Sequence, residues 1–199
     1  MQEPRGANIS DSGFAAQTPM ILSALAALSM VFALYTQGRL WWCKLNDYNP
    51  WTSEAWSAHT SQHLFDPYAL THVLHGVLFF WLISLIFKKA TFGWQFFAAI
   101  CAECAWEIVE NSSYVIEKYR ANTASLDYFG DSIFNSAGDV LACAVGFIIA
   151  FKLRFWRSLA FFLLVELILL VWIRDGLLLN ILMLIHPIEA IKDWQTGGV

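Results

Sequence analysis

Apolar and polar residues in this chain are segregated into long blocks. Near-continuous apolar runs cover 19–35, 71–87, 92–111, 131–151 and 158–173, and polar or basic residues separate them. Runs of this length without period-two alternation predict helices rather than strands. About 20 helical residues are enough to cross roughly 30 Å of hydrocarbon. A sixth apolar stretch, 176–191, is interrupted by Pro187 and is short for a crossing. It reads either as a crossing through thinned bilayer or as a re-entrant or interfacial segment. Residues 1–18 are polar, carry mixed charges and have no helical stripe, which predicts a flexible tail. The run at 19–35 has neither a dense basic stretch before it nor a small-residue cleavage site after it, so it reads as a retained first span. The expectation is an all-α, polytopic transmembrane helix bundle of five or six helices, forming a single domain over 19–199.

Composition narrows the class. The 199 residues are 58% hydrophobic and 14% charged, with mean hydropathy +0.52. A soluble domain averages about 25% charged residues. The difference excludes a disordered chain, a collagen-like fibre and an ordinary soluble enzyme. The net charge of −4 leaves no footprint for nucleic acid, and the four cysteines are too few and too scattered for a disulfide framework.

Lys and Arg mark the cytoplasmic side of a membrane. The two shortest loops carry Lys88, Lys89, Lys152, Arg154 and Arg157. That places the N-terminus inside and the loops 37–70 and 114–130 outside, with Arg39, Lys44, Lys118 and Arg120 running against the bias. The outer loop holds Trp41, Trp42, Trp51 and Trp56 between the breaks at Pro50 and Pro67. Tryptophan favours the headgroup level, so this loop reads as an aromatic interfacial belt capping the bundle; a sugar- or lipid-binding platform is the alternative.

Ionisable residues inside spans cost about 2.5–3.5 kcal/mol each at the centre. Here they fall into register. Glu103, Glu107 and Glu110 share one face of the third span, with Asn111 beside them. Asp131, Asn135 and Asp139 share a face of the fourth, flanked by Ser132 and Ser136, and Gly138 permits close backbone approach. His72 and His75 share a face of the second. At a rise of about 1.5 Å per residue, His75 and Asn135 lie about 6 Å inside the outer boundary, Glu107 about 8 Å and Asp139 about 12 Å. Three independent helices have no need to match in depth. A common polar pocket open to the outside explains the match; a hydrogen-bonded layer that merely locks the helices together is the structural alternative.

Two His with nearby carboxylates suit a divalent metal such as Zn, Mn or Fe, with His72 and His75 as ligands. His59 and His63, four apart in the outer loop, could add ligands if that loop is helical. A bound metal would activate water. Alternatively, Glu107, Asp131 and Asp139 provide carboxylates for acid/base work without metal, Asp131 and Asp139 being the natural pair. Glu110, Asn111, Asn135 and Arg174 are candidate binding residues, Arg174 for the acid layer or a lipid phosphate. Glu166 sits midway along the fifth span as a candidate partner for another helix. Cys101, Cys104 and Cys143 read as small packing residues, and Cys43 as facing outward without a partner.

Four strings, SQHLFDPYALTHVLHGVLFFWL, WEIVENSSYVIEKYR, GDSIFNSAGD and WIRDGLLLNILMLIHPIEAIKDWQ, occur in this order over about residues 38–196. Together they resemble an uncharacterised family of bacterial multi-pass inner-membrane proteins. The resemblance implies a plasma-membrane location and no particular activity or cofactor. Its motif positions are His63, Asp66, His72, His75, Glu107, Glu110, Asn111, Asp131, Asn135, Asp139, Arg174 and Asp175, and most of these are also picked out by the physical reading of the residues. The functional expectation is an outward-facing pocket acting on a lipid or envelope component, by metal-assisted or carboxylate-based hydrolysis. The rival is a non-enzymatic scaffold or assembly partner with a structural polar layer. A transporter fits less well, because the inner halves of the spans are apolar.

Overall fold

The computed structural model describes residues 9–197. They form seven helices: α1 (Ile9–Thr36), α2 (Ala69–Ile86), α3 (Phe92–Glu110), α4 (Ser113–Asn122), α5 (Ile133–Ile173), α6 (Leu177–Ile185) and α7 (Glu189–Gln195). The fold is all-α. Among the described residues there is no strand, only an isolated bridge between Trp51 and Phe65. Helix α1 begins at Ile9, so Pro19 lies inside it, and the Ser23 hydroxyl donates to the Pro19 carbonyl at 2.8 Å. Residues 1–8 of the tail expected over 1–18 lie outside the described residues.

Helix α5 is 41 residues long but does not run straight. Arg154 has φ 62° and ψ 176°, outside the helical region, so the chain breaks there into two arms. Contacts with α2 fix their directions. Near the start of the first arm, Asn135 donates to the His63 carbonyl just ahead of α2, and near its end Phe151 meets Phe80. The first arm is therefore parallel to α2. Near the start of the second arm, Trp81 donates to Ser158; just past its end, Tyr68 donates to Asp175. The second arm is therefore antiparallel to α2, and the arms double back on each other at Arg154. Each is about 20 residues, or roughly 30 Å.

Helix α3 returns from α2 through the short turn at 87–91. Its far end meets that of α1, where Gln37 donates to the Ile108 carbonyl at 3.1 Å. The helical segments thus share two ends. The turn end holds 87–91 and the break at Arg154. The cap end holds the loop 37–68, α4, α6 and α7. Serine side chains start two of the cap-end helices, Ser112 accepting from the Val115 amide and Ser132 from the Asn135 amide.

Close approach of α2 to the first arm needs glycine. A Cβ at Gly76 would strike the Cys143 carbonyl, and one at Gly146 the Val73 carbonyl. Around this contact Leu74, Val77, Ala150, Phe162, Val165 and Leu169 form a core joining α2 to both arms. The outer faces are apolar as well, with Leu28 and Phe32 on α1, Leu85 on α2, Leu141 on the first arm and Leu167 and Val171 on the second all exposed. Three helices, 17–36 within α1, α2 and α5, are long and apolar enough to cross a membrane by length and composition. The last apolar stretch is divided into α6 and α7, of 9 and 7 residues. At about 1.5 Å per residue, neither approaches a crossing.

Overpacking a tight site costs about 1–3 kcal/mol, and backbone atoms yield less readily than side chains. Gly76→Leu and Gly146→Leu should therefore lower the detergent melting temperature by several degrees or abolish folded protein. Leu167→Ala on the outer face should leave it nearly unchanged, as read by a thermal unfolding series.

Candidate functional site

Beneath the cap, α2, α3 and the first arm of α5 bring their ionisable residues into one buried layer. Glu103 is fully buried on α3 and is clasped by α2. The Nδ1 of His72 lies 2.5 Å from Glu103 Oε1, and Nδ1 of His75 lies 3.1 Å from Oε2. This trio satisfies itself. One helical turn nearer the cap, Glu107 is also fully buried, yet neither of its carboxylate oxygens has a hydrogen-bond partner. Its nearest counter-group is His72 Nδ1 at 3.4 Å, the nitrogen already engaged by Glu103. Asp139 faces the same point from α5, its Oδ2 lying 3.9 Å from His72 Nε2 and its Oδ1 unpartnered. His72, Glu107 and Asp139 each present a ligand atom within 4.8 Å of the others. An unpartnered buried carboxylate is stable only when neutral or beside a cation, so this point is where a divalent metal would fit.

The remaining sequence-selected residues divide. Asp131 is held on both oxygens: Asn111 donates to one at 2.7 Å and the Tyr128 hydroxyl to the other at 3.0 Å, while the Asp131 amide donates back to Asn111. Asn135 does not reach the carboxylates. Its Nδ2 ties the cap loop to α5 through the His63 carbonyl at 2.8 Å. Glu110 keeps one oxygen unpartnered and faces the Tyr119 phenol. Arg174 is not part of the layer; it points away and donates to the Trp194 carbonyl. Its neighbour Asp175 turns inward to Tyr68 and Asn180. Glu166 accepts from the Leu177 and Leu178 amides and so caps α6.

Cys43 departs from expectation. It is buried, with Sγ 3.7 Å from His59 Nδ1, because the loop 37–68 folds back over the bundle. His59 and His63 meet at 3.1 Å without a regular helix between them. Cys104 and Cys143 are buried packing residues, and all four cysteines are free thiols.

The layer forms the head of a cavity of about 500 Å³ between α2, α3 and α6. His72, Asp139, Asp131, Glu110 and three tyrosines, Tyr68, Tyr119 and Tyr128, line its polar part. Leu78, Phe79, Ala105, Val109, Ile181 and Leu184 line the rest. The tyrosines carry no signal in the sequence, because Tyr119 and Tyr128 are aimed at the acids only by the folding of α4 and the following loop over α3, and Tyr68, at the start of α2, meets Asp175 only once the second arm has packed back. Burial pushes the Tyr128 phenol well above its ordinary value, and the adjoining Asp131 adds to this, so Tyr128 remains a proton-bearing donor. Burial likewise raises Asp131, against the hydrogen bonds from Asn111 and Tyr128. Asp175, beyond the end of α5, is pushed by burial up to about 7.

An all-α protein with membrane-length apolar helices and a buried His/carboxylate layer is the class these features define. The chain belongs to the family described as protein of unknown function (DUF2585), which it matches over residues 34–197. It is 45% identical over 178 residues to the UPF0314 protein of Brucella anthropi, spanning 89% of this chain and 90% of that one. With the UPF0314 protein of Paracoccus denitrificans it shares 43% over 177 residues, spanning 89% and 90%. The resemblance to an uncharacterised bacterial family is thereby confirmed. No solved structure matches the chain.

Asp175 generates a pH prediction. Its folded value, about 7, lies above the ordinary 3.8. Between those values the folded chain holds a proton that the unfolded chain releases, so this contribution to stability falls as pH rises from about 4 to 7. The melting temperature in detergent should decline over that range. Asp175→Asn, which can still accept from the Gly176 amide, should decline less steeply. Identical slopes for the two proteins would contradict the assignment.

Proposed function

We propose that this is a multi-pass integral protein of the bacterial plasma membrane that takes the polar end of a lipid or envelope amphiphile into its outward-facing acidic cavity and hydrolyses it with the help of a divalent metal. The observation that carries the reading is the cavity's two-part lining: unpartnered carboxylates at one end, an apolar trough between α2, α3 and α6 at the other. An amphiphile has the same division.

Five segments cross the bilayer in this reading: α1, α2, α3 and the two arms of α5. Helix α3 is less apolar than the other crossings because it carries Glu103, Glu107 and Glu110. Glu103 and Glu107 are fully buried against α2 and α5, so the hydrocarbon meets mainly the apolar side of α3. The turn end carries Lys88, Lys89, Lys152, Arg154 and Arg157 and no acid, so it is cytoplasmic. Helix α1 enters from that end, so in this reading the N-terminus lies inside and the cap outside. Cysteines introduced at Lys88 and Lys152 should react only with membrane-permeant reagents in intact spheroplasts, and one at Asn122 with impermeant reagents too. The reverse pattern would invert the topology and put the cavity in the other leaflet.

Within the layer, His72, Glu107 and Asp139 would hold the metal. Glu103 accepts from Nδ1 of His72, which orients the ring and leaves Nε2 as its ligand atom, and His75 steadies Glu103 from the other side. A divalent ion held there would supply Lewis-acid activation of water for hydrolysis. Glu110 and the tyrosines face the substrate's polar group, and Asp131, held by Asn111, positions Tyr128. The scaffold reading is favoured by one specific observation: the His72–Glu103–His75 trio is complete without any ligand.

The two readings separate at Glu107. Gln keeps the shape and hydrogen-bonding capacity but neither the charge nor the exchangeable proton. Glu107→Gln and Asp139→Asn should insert and melt like wild type, fail to complement a deletion strain, and retain a co-purifying amphiphile detected by mass spectrometry. Ala105→Trp, which fills the apolar trough, should lose that amphiphile. Full complementation by both carboxamide variants would establish the scaffold role instead.

A further inference from the structure

We propose that the cap carries a second, separate metal centre, a zinc site formed by Cys43, His59 and His63 with Asp47 in the fourth position. These residues lie in the loop 37–68, outside the acidic layer and its cavity.

The donor spacing fits the ion. Tetrahedral zinc, with Zn–N of about 2.0–2.1 Å and Zn–S of about 2.3 Å, sets neighbouring nitrogens about 3.3 Å apart and neighbouring sulfur and nitrogen about 3.6 Å apart. Here His59 Nδ1 and His63 Nε2 are 3.1 Å apart, and Cys43 Sγ and His59 Nδ1 are 3.7 Å apart. Asp47 Oδ2 lies 3.9 Å from both ring nitrogens. That is somewhat long for a shared ion, but its side chain is one-third exposed and has room to swing in.

The surrounding contacts select the ligand atoms. Nδ1 of His63 donates to the Asn49 carbonyl at 2.6 Å, which fixes the tautomer and leaves Nε2 with a free lone pair facing His59. Asp47 Oδ1 is occupied by the Asn49 amide and side chain, which leaves Oδ2. A plain hydrogen bond between the imidazoles accounts for only one of these approaches. A single N–H at His59 Nδ1 serves one neighbour, whereas a cation serves the thiolate, both rings and the carboxylate together. One thiolate and two imidazoles select a soft or borderline ion such as zinc over magnesium or calcium.

The position gives the ion a task. The loop has no helix or strand of its own beyond the single bridge between Trp51 and Phe65. Its first half carries Cys43 and Asp47 and its second half His59 and His63, so one ion would clamp the two halves together. The clamp is anchored to the bundle, because Asn135 on α5 donates to the His63 carbonyl at 2.8 Å. The centre is therefore structural: it holds the cap over the cavity.

Cobalt(II) titration of the purified full chain in detergent tests this. Wild type should develop the intense visible bands of tetrahedral cobalt and a near-ultraviolet thiolate-to-cobalt band at one equivalent, both bleached by added zinc. Cys43→Ser should lose the thiolate band. His59→Ala, at a partly exposed ligand, should bind at least tenfold more weakly, and zinc should raise its melting temperature less than that of wild type. Glu107→Gln and Asp139→Asn should retain all these signals, so failure of the hydrolase reading leaves this result intact. No tetrahedral spectrum in wild type, a thiolate band that survives Cys43→Ser, or signals lost only in the Glu107 and Asp139 variants would each overturn the proposal.

Discussion

Glu103, near the middle of α3, meets two imidazoles from α2 with no water between them. The rest of the molecule is arranged around that contact. Breaking a buried pair by removing one partner costs about 3–5 kcal/mol, because the other charge is stranded. Helices α2 and α3 are therefore fixed in rotation as well as separation: the His72/His75 face must look at the glutamate face. The first arm of α5 is then drawn against α2 by Gly76 and Gly146, which brings Asp139 to the opposite side of His72. The polar layer is a consequence of helix packing that this contact allows and the glycines complete.

The layer is unevenly satisfied, and the unevenness has a direction. Deep in the bundle the histidine–glutamate trio is closed. At the level of Asp131, hydrogen bonds from Asn111 and Tyr128 occupy the carboxylate fully. Between these levels Glu107 and one oxygen of Asp139 are unanswered. A layer that served only to lock helices would gain from pairing these as well, since membrane helices associate through such polar contacts. Asp139 lines the head of the cavity and Glu107 is buried next to it and His72, so the deficit adjoins the cavity.

The cap is built differently from the bundle. It has little apolar core and depends on side chains reaching backbone: Arg39 to the Phe129 carbonyl, Gln62 to that of Gly130, and Trp56 to that of Ile173. Tryptophans are thus engaged in holding the loop to the bundle, and Trp51 stacks on Trp172 of the second arm. An irregular segment of this length has few backbone bonds of its own, so a clamp joining its two halves has a clear structural value.

Much of this was legible in the residues. Long apolar runs dictate helices because backbone polar groups must be satisfied internally wherever water is absent. Helical periodicity alone put Glu103 with Glu107 on a single face, and depth arithmetic put His75, Asn135, Glu107 and Asp139 in one layer; Asp131, expected on one helix face with Asp139, instead precedes the N-cap Ser132 of α5. The tertiary structure decided what spacing cannot express. It turned Arg174 away and Asp175 inward, aimed Tyr68, Tyr119 and Tyr128 into the cavity, set Glu166 on the start of α6, and brought Cys43 to His59. It also separated Glu103, which is paired, from Glu107, which is not, although the two are one turn apart on the same face. Periodicity is a property of a single helix and is written in its sequence. Which neighbour answers a given side chain depends on the rotation and separation of two or three helices, and these follow from packing summed over the whole bundle.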